Sequence, residues 1–210
     1  MANTIVFQGD SITDVGRDRD LTLPANLGMG SGYPFLTMAK LRVMEPKKDW
    51  QVFNRGISGN RIVDLYARWK REALNLKPDI LSILIGVNDT WHESALQNGV
   101  EVPRYAQFYR MLLEWTREAL PKAKIVLMEP FVLPFGVVLP HWPAEIDERR
   151  AVVKKLAKEF KTIFIPTQTI LNKALKKAPQ EYWLKDGVHP TSAGHELISE
   201  AWIEATRAIR

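Results

Sequence analysis

Five short runs rich in aliphatic and β-branched residues recur along the chain, at 4–8, 50–54, 79–86, 124–129 and 162–166. Between them lie longer stretches with apolar residues at three-to-four spacing. In "RIVDLYARWKREALNLKP" (61–78), Ile62, Leu65, Tyr66, Trp69, Ala73, Leu74 and Leu76 form one stripe, Arg68, Lys70, Arg71 and Glu72 fill the rest, and Pro78 stops the helix. Comparable helices are expected at about 33–45, 103–120, 144–160 and 192–208. Strands alternating with helices require right-handed crossovers and a parallel sheet covered on both faces, and "ILSILIG" suits a strand buried on both sides. With 210 residues, 46% of them hydrophobic, and no repeat or linker, the expectation is one α/β domain over 1–210.

Composition removes several chemistries. The chain has no cysteine, which excludes disulfides, thiolate metal sites and a cysteine nucleophile. His92, His141 and His195 have no metal-like spacing with carboxylates, so no metal site is expected. Residues 125–144, "IVLMEPFVLPFGVVLPHWPA", are apolar enough to suggest a membrane span, but Pro130, Pro134, Pro140 and Pro143 would each remove a helical hydrogen bond that hydrocarbon cannot replace. The opening "MANTIVFQGD" has no basic n-region and too short an apolar run for a secretory signal, so a cytoplasmic protein without membrane association is expected. The net charge of +5 is spread over helix surfaces, as in "KKLAKEFK" (154–161), which argues against nucleic acid as a partner.

A parallel sheet brings the carboxyl ends of its strands to one edge, where ligands bind. The first three junctions read "GDSITD" (9–14), "NRGISGNR" (54–61) and "GVNDTWH" (86–92), and "DGVHP" (186–190) precedes the last helix. Together they hold a hydroxyl, a histidine, an aspartate and several donors, the parts of nucleophilic acyl transfer. Singly, each has a structural alternative: Ser11 or Thr13 as a helix cap, Gly56 and Gly59 as loop glycines, His189 as a surface histidine. The Asp-Gly-Val-His turn favours function at its own position. There Asp186 can fold back on Nδ1 of His189, fixing the tautomer and leaving Nε2 to take a proton. Asp10 and Asp14 are expected to cap amides of the first turn.

In order and spacing, "GDSIT", "GISGN", "GVND" and "DGVHP" resemble the four conserved blocks of the SGNH or GDSL hydrolases, from Gly9 to Pro190. Ile12 stands where the family motif has leucine. The G-x-S-x-G elbow of the α/β-hydrolases is absent, which makes Ser58 a poor rival to Ser11. The resemblance implies a three-layer α/β/α sandwich with a five-stranded parallel, flavodoxin-like sheet. It implies Ser11 as nucleophile, His189 as general base and then acid, and Asp186 as its orienting partner. It also implies an oxyanion hole formed by the backbone amides of Ser11 and Gly56 with the side-chain amide of Asn88.

Within that family, "GDSITDVGR", "GSGYP", "GISGNRIVDLYARW" and "GVNDTW" look like the intracellular acetylxylan esterases and related carbohydrate acetylesterases. The expected activity is a cofactor-free serine esterase acting on acetylated sugars such as xylo-oligosaccharides, in a homo-oligomer. Trp91, Tyr33 and Trp183 are candidate substrate contacts; for Trp91 the alternative is packing beneath its loop. The proline-rich loop at 131–143 is expected to form a pocket wall or subunit contact in preference to core. The rival readings are a lysophospholipase or thioesterase of the same family and a carbohydrate-binding protein without catalysis, which would require a lost catalytic residue.

Overall fold

The computed structural model describes residues 3–210. Its strands are β1 (Asn3–Gly9), β2 (Trp50–Gly56), β3 (Ile80–Leu84), β4 (Lys124–Met128) and β5 (Ile163–Ile165). They form one sheet in the order β2-β1-β3-β4-β5, with every neighbouring pair parallel. This is the doubly wound order in which chain direction reverses beside β1, opening a crevice at the carboxyl ends of β1 and β3.

The helices are α1 (Ser11–Asp14), α2 (Tyr33–Met44), α3 (Ile62–Glu72), α4 (Val87–Leu96), α5 (Val102–Ala119), α6 (Trp142–Glu159), α7 (Thr167–Ala174), α8 (Gln180–Trp183) and α9 (Ser192–Ala205). Alternation along the strands sorts the core into two layers. Ile5, Phe7, Ile80, Leu84, Val126 and Met128 pack with Tyr33 and Leu41 of α2 and Ile198 and Trp202 of α9. Val6, Leu81, Ile83, Ile125 and Leu127 pack with Leu65 and Trp69 of α3, Leu112 and Leu113 of α5 and Val153 of α6. Residues i and i+2 share a sheet face, so this sorting is the period of two in three dimensions. The result is the three-layer α/β/α sandwich.

Some local features differ from the sequence reading. The helix expected over 61–78 ends at Glu72, followed by a single 3₁₀ turn at Leu74–Leu76 and Lys77 in the left-handed region, so the chain leaves the helix well before Pro78. Four short helices, α1, α4, α7 and α8, are additions to the sequence reading; only α7 carries apolar residues on one face, Ile170, Leu171 and Ala174, and it is two turns long. In α4 the first turn buries four consecutive residues, Val87 and the polar Asn88, Asp89 and Thr90, so its periodicity is concealed. The loop at 131–143 is divided. Phe131, Val132 and Leu133 join the core, against expectation, while Pro134, Val137, Leu139 and Pro140 are exposed. Among the described residues no helix is long and apolar enough to cross a membrane; residues 125–144 supply β4, this loop and the start of α6.

Candidate active site

β1 ends at Gly9, and the chain turns at once into the single turn of α1. The Asp10 carboxylate accepts from the Ile12 amide at 3.0 Å, the capping contact expected of it. Ser11 is thus the first helical residue, with its hydroxyl at the sheet edge and its own amide without an acceptor among the described residues. Burial pushes the Asp10 carboxyl up to about 7, with a smaller contribution from the charge of Asp89. Val15 closes the turn in the left-handed region at φ 40°, a strained conformation for a β-branched residue, its amide donating to Ser11 O at 3.2 Å.

The last loop brings the partners. Ser11 Oγ lies 2.9 Å from His189 Nε2, and His189 Nδ1 lies 2.7 Å from Asp186 Oδ2. The other carboxylate oxygen, Oδ1, accepts from the amides of Val188 at 3.0 Å and His189 at 2.8 Å. Burial raises the Asp186 pKa, but these amide and imidazole bonds outweigh it and hold the carboxyl below its usual range. A carboxylate kept ionised against Nδ1 fixes the proton there and leaves Nε2 as the acceptor facing the serine. Such a chain of contacts can draw a proton from Ser11 and return it to a leaving group.

The position of Asp186 depends on the loop after β4. The Leu133 amide donates to Gly187 O at 2.9 Å and the Val137 amide to Asp186 O at 3.0 Å. Gly136 sits at φ 64°, where an added Cβ would lie 2.4 Å from Asp186 O. The exposed part of the loop therefore buttresses the acid.

The donors for a developing oxyanion differ from the sequence reading at one residue. Gly56 is buried, its amide donates to Asn54 Oδ1 at 2.9 Å, and its carbonyl accepts from Arg17 Nε at 2.6 Å. A Cβ at Gly56 would meet the Asp14 amide at 2.4 Å. Gly56 is a packing glycine whose amide is already used, so it is withdrawn as an oxyanion donor. Gly59 has the free amide: it sits at φ 83°, partly exposed, with no acceptor among the described residues and no atom closer than 3.9 Å to an added Cβ. Its turn is held by Asp14, whose Oδ2 accepts from the Ser58 amide at 2.8 Å and the Ser58 hydroxyl at 2.6 Å. Asn88 Nδ2 donates to Asn60 O at 3.1 Å, tying α4 to the same turn and leaving its second N–H available.

Sequence reasoning also missed Asn54. Its Nδ2 donates to Thr13 O at 2.7 Å and Met29 O at 2.9 Å, clamping the end of β2 to the serine turn. No motif marks it, because its partners are carbonyls distant in sequence.

The aromatic candidates separate. The Trp91 ring centroid lies 5.9 Å from that of His189 and 5.2 Å from that of Trp142, so the half-buried indole flanks the imidazole and also packs against α6. Tyr33 is fully buried, its hydroxyl 3.0 Å from Thr13 Oγ1, and offers no surface to a ligand. Trp183 donates from Nε1 to Ala178 O at 3.2 Å and packs on Tyr182. Neither borders the cavity of about 240 Å³ beside Ser11, which is lined by Ser11, Val15, Lys185, Asp186, His189 and His195 among others. Among the described residues no group of three or more His, Asp or Glu side chains could hold a metal.

The sequence profile of the GDSL-like lipase/acylhydrolase family matches residues 7–197. The chain belongs to that family. Family membership and the relatives together make it a carboxylic ester hydrolase. The chain is 35% identical to an acetylxylan esterase of Geobacillus stearothermophilus over 201 residues, which are 95% of this chain and 91% of that one. A crystal structure of that enzyme superposes with a TM-score of 0.87 at 34% identity, covering 97% of this chain and 93% of the other. A protein described as a GDSL-like lipase, from Parabacteroides merdae, superposes at 0.93 with 43% identity, covering 98% and 96%. Structures of the Geobacillus enzyme include catalytic mutants in which a serine, an aspartate and a histidine are each replaced by alanine. That aspartate and histidine are three positions apart, as Asp186 and His189 are here, and a tryptophan immediately precedes the aspartate where this chain has Lys185.

Proposed function

We propose that this hydrolase is a serine esterase, acting as one domain, that removes small acyl groups, acetyl above all, from sugar hydroxyls. The observation that carries the mechanism is the continuous chain of contacts Ser11 Oγ, His189 Nε2, His189 Nδ1, Asp186 Oδ2, at 2.9 and 2.7 Å, at the carboxyl edge of the sheet. Likeness to an acetylxylan esterase supports the substrate class.

In this reading Ser11 Oγ attacks the ester carbonyl as its proton passes to His189 Nε2. The carbonyl oxygen, becoming negative, accepts from the amides of Ser11 and Gly59 and from Asn88 Nδ2, neutral donors fixed before the charge appears. Collapse of the tetrahedral adduct expels the sugar alcohol, which takes the proton from His189. Water then attacks the acyl carbonyl as its proton passes to the same imidazole, and collapse breaks the bond to Ser11 Oγ, which takes that proton back as the acid leaves. Asp186 stays ionised throughout and stabilises the imidazolium.

Ser11→Ala should reduce turnover of p-nitrophenyl acetate by at least about 10³-fold with the fold retained, as triad disruptions do. Turnover equal to that of the wild type would end the assignment. Activity along a series of p-nitrophenyl esters should fall steeply from acetyl to octanoyl; a rise with chain length would favour the lysophospholipase reading.

A further inference from the structure

The proposed mechanism uses Ser11, His189 and Asp186 but leaves the far wall of the cavity beside them unexplained. That wall holds Lys185 and His195. His195, near the start of α9, is only 5% exposed, and its Nδ1 accepts from the Tyr33 amide at 3.2 Å. It thereby caps α2, whose own N-cap residue, Gly32, has no side chain to do so. A nitrogen that accepts carries no proton, so the neutral ring must bear its hydrogen on Nε2. Burial, with the charges of Lys185 and His189, pulls the His195 pKa down to about 4, so the ring stays neutral at physiological pH. Nε2 has no partner among the described residues and is not sealed from solvent, which leaves one neutral N–H donor facing the cavity. Lys185 is exposed, and its ammonium has no ion-pair partner among the described residues. Its backbone is fixed, the amide donating to His189 O at 2.7 Å.

The cavity lies on the imidazole side of Ser11; neither Gly59 nor Asn88 borders it. His189 must hand its proton to the departing oxygen, so the alcohol belongs on this side and the carbonyl oxygen on the other. We propose, on the footing of the serine-esterase reading above, that this cavity holds the leaving sugar. Lys185 there selects a sugar bearing a carboxylate, a uronate, while His195 Nε2–H donates to a sugar oxygen. The Geobacillus enzyme, whose structures describe it as an acetyl-xylooligosaccharide esterase, has tryptophan at the place of Lys185. An aromatic ring offers a stacking face to a neutral sugar, whereas an unpaired ammonium favours an anionic one.

The test compares an acetylated methyl glucuronide with the matching acetylated methyl glucoside. Wild type should favour the glucuronide in kcat/KM by about threefold or more at low salt, chiefly through KM, and the preference should shrink as salt screens the charge. Lys185→Glu should invert the ratio and Lys185→Trp should bring it to one or below. Lys185 is exposed and its side chain makes no bond among the described residues, so these variants test recognition and not stability. His195→Gln should raise KM for both sugars alike.

Equal rates on the two sugars in wild type, or a ratio unmoved by Lys185→Glu, overturn the inference and leave the sugar-esterase reading standing. If neither sugar is deacetylated while p-nitrophenyl acetate is, both readings fall. A charge preference seen with p-nitrophenyl succinate over acetate, but not with the glucuronide, would put Lys185 on the acyl side and reject the assignment.

Discussion

At the scale of single residues, the two glycines of "GISGN", three positions apart, have opposite duties. Gly56 is at the end of β2, in register with Gly9, and its amide is taken by Asn54. Gly59 is three residues on, at positive φ, with its amide free. Gly56→Ala should therefore lower thermal stability, by about 1–3 kcal/mol of overpacking against the Thr13 and Asp14 backbone. Gly59→Ala meets no close atom, so its main effect should be on kcat, with a backbone cost of about 1 kcal/mol. Parallel measurements of melting temperature and kcat separate the two; the reverse pattern would restore Gly56 to the oxyanion hole. Asn88→Ala should lower kcat by about 10²-fold with KM little changed, the cost of one donor in such a hole. The sequence shows both glycines equally well. Only the side chain of Asn54, folded onto one of them, distinguishes them.

At the scale of elements, the loop between β4 and α6 matters more than its apolar, proline-rich composition suggests. Its inner residues fill the core, one of them, Leu133, also holding Gly187, and the outer Val137 holds the backbone of Asp186. Gly136→Ala should displace the acid, because the new Cβ would press on Asp186 O and the residue would be held at φ 64°. The expected result is a loss of kcat/KM on the order of 10²-fold, the scale of an ångström-level misplacement, without direct contact with substrate. Unchanged activity in a folded Gly136→Ala protein would show that the acid is positioned by its own turn alone. The last helix is simpler: Thr191 accepts from the Gly194 amide at 3.2 Å, so Thr191→Ala should cost about 1 kcal/mol by denaturant titration. Strands were legible because each is a run of apolar residues between turn residues. Helices α4 and α8 were not, because short helices with buried polar or few buried residues leave no stripe, and α7 is too short, at two turns, for its Ile170, Leu171 and Ala174 to stand out.

At the scale of the whole molecule, two buried carboxyl groups lie behind the site, Asp10 in the serine turn and Asp89 in α4. Asp10 and Asp89 are each pushed up to about 7, burial being the largest cause for both. Asp89 Oδ1 accepts from the Ile62 amide at 3.1 Å, tying α4 to the start of α3, while its Oδ2 has no partner among the described residues. The unfolded chain releases these protons near pH 4 and the folded chain keeps them until about pH 7. Folding stability should therefore fall as pH rises between those limits, by up to about 1.4 kcal/mol per pH unit for each group, and level off above. Asp10→Asn keeps an acceptor for the Ile12 amide and removes one titration, so its stability should fall less between pH 5 and 7 in urea melts. An identical fall in both proteins would rule out Asp10 as a source.

The five strands, the longer helices between them, the parallel sheet and the four polar junctions are written in the chain, because burial period and turn chemistry are local properties. Ser11, Asn88, Asp186 and His189 could be singled out because each lies in a short motif at a strand end or before a helix. Which amide remains free at 56 or 59, which aromatic reaches His189, and which residues line the cavity depend on contacts between segments far apart in sequence. Asn54 on Gly56, Trp91 beside His189 and His195 on Tyr33 are such contacts, and only the packed chain decides them.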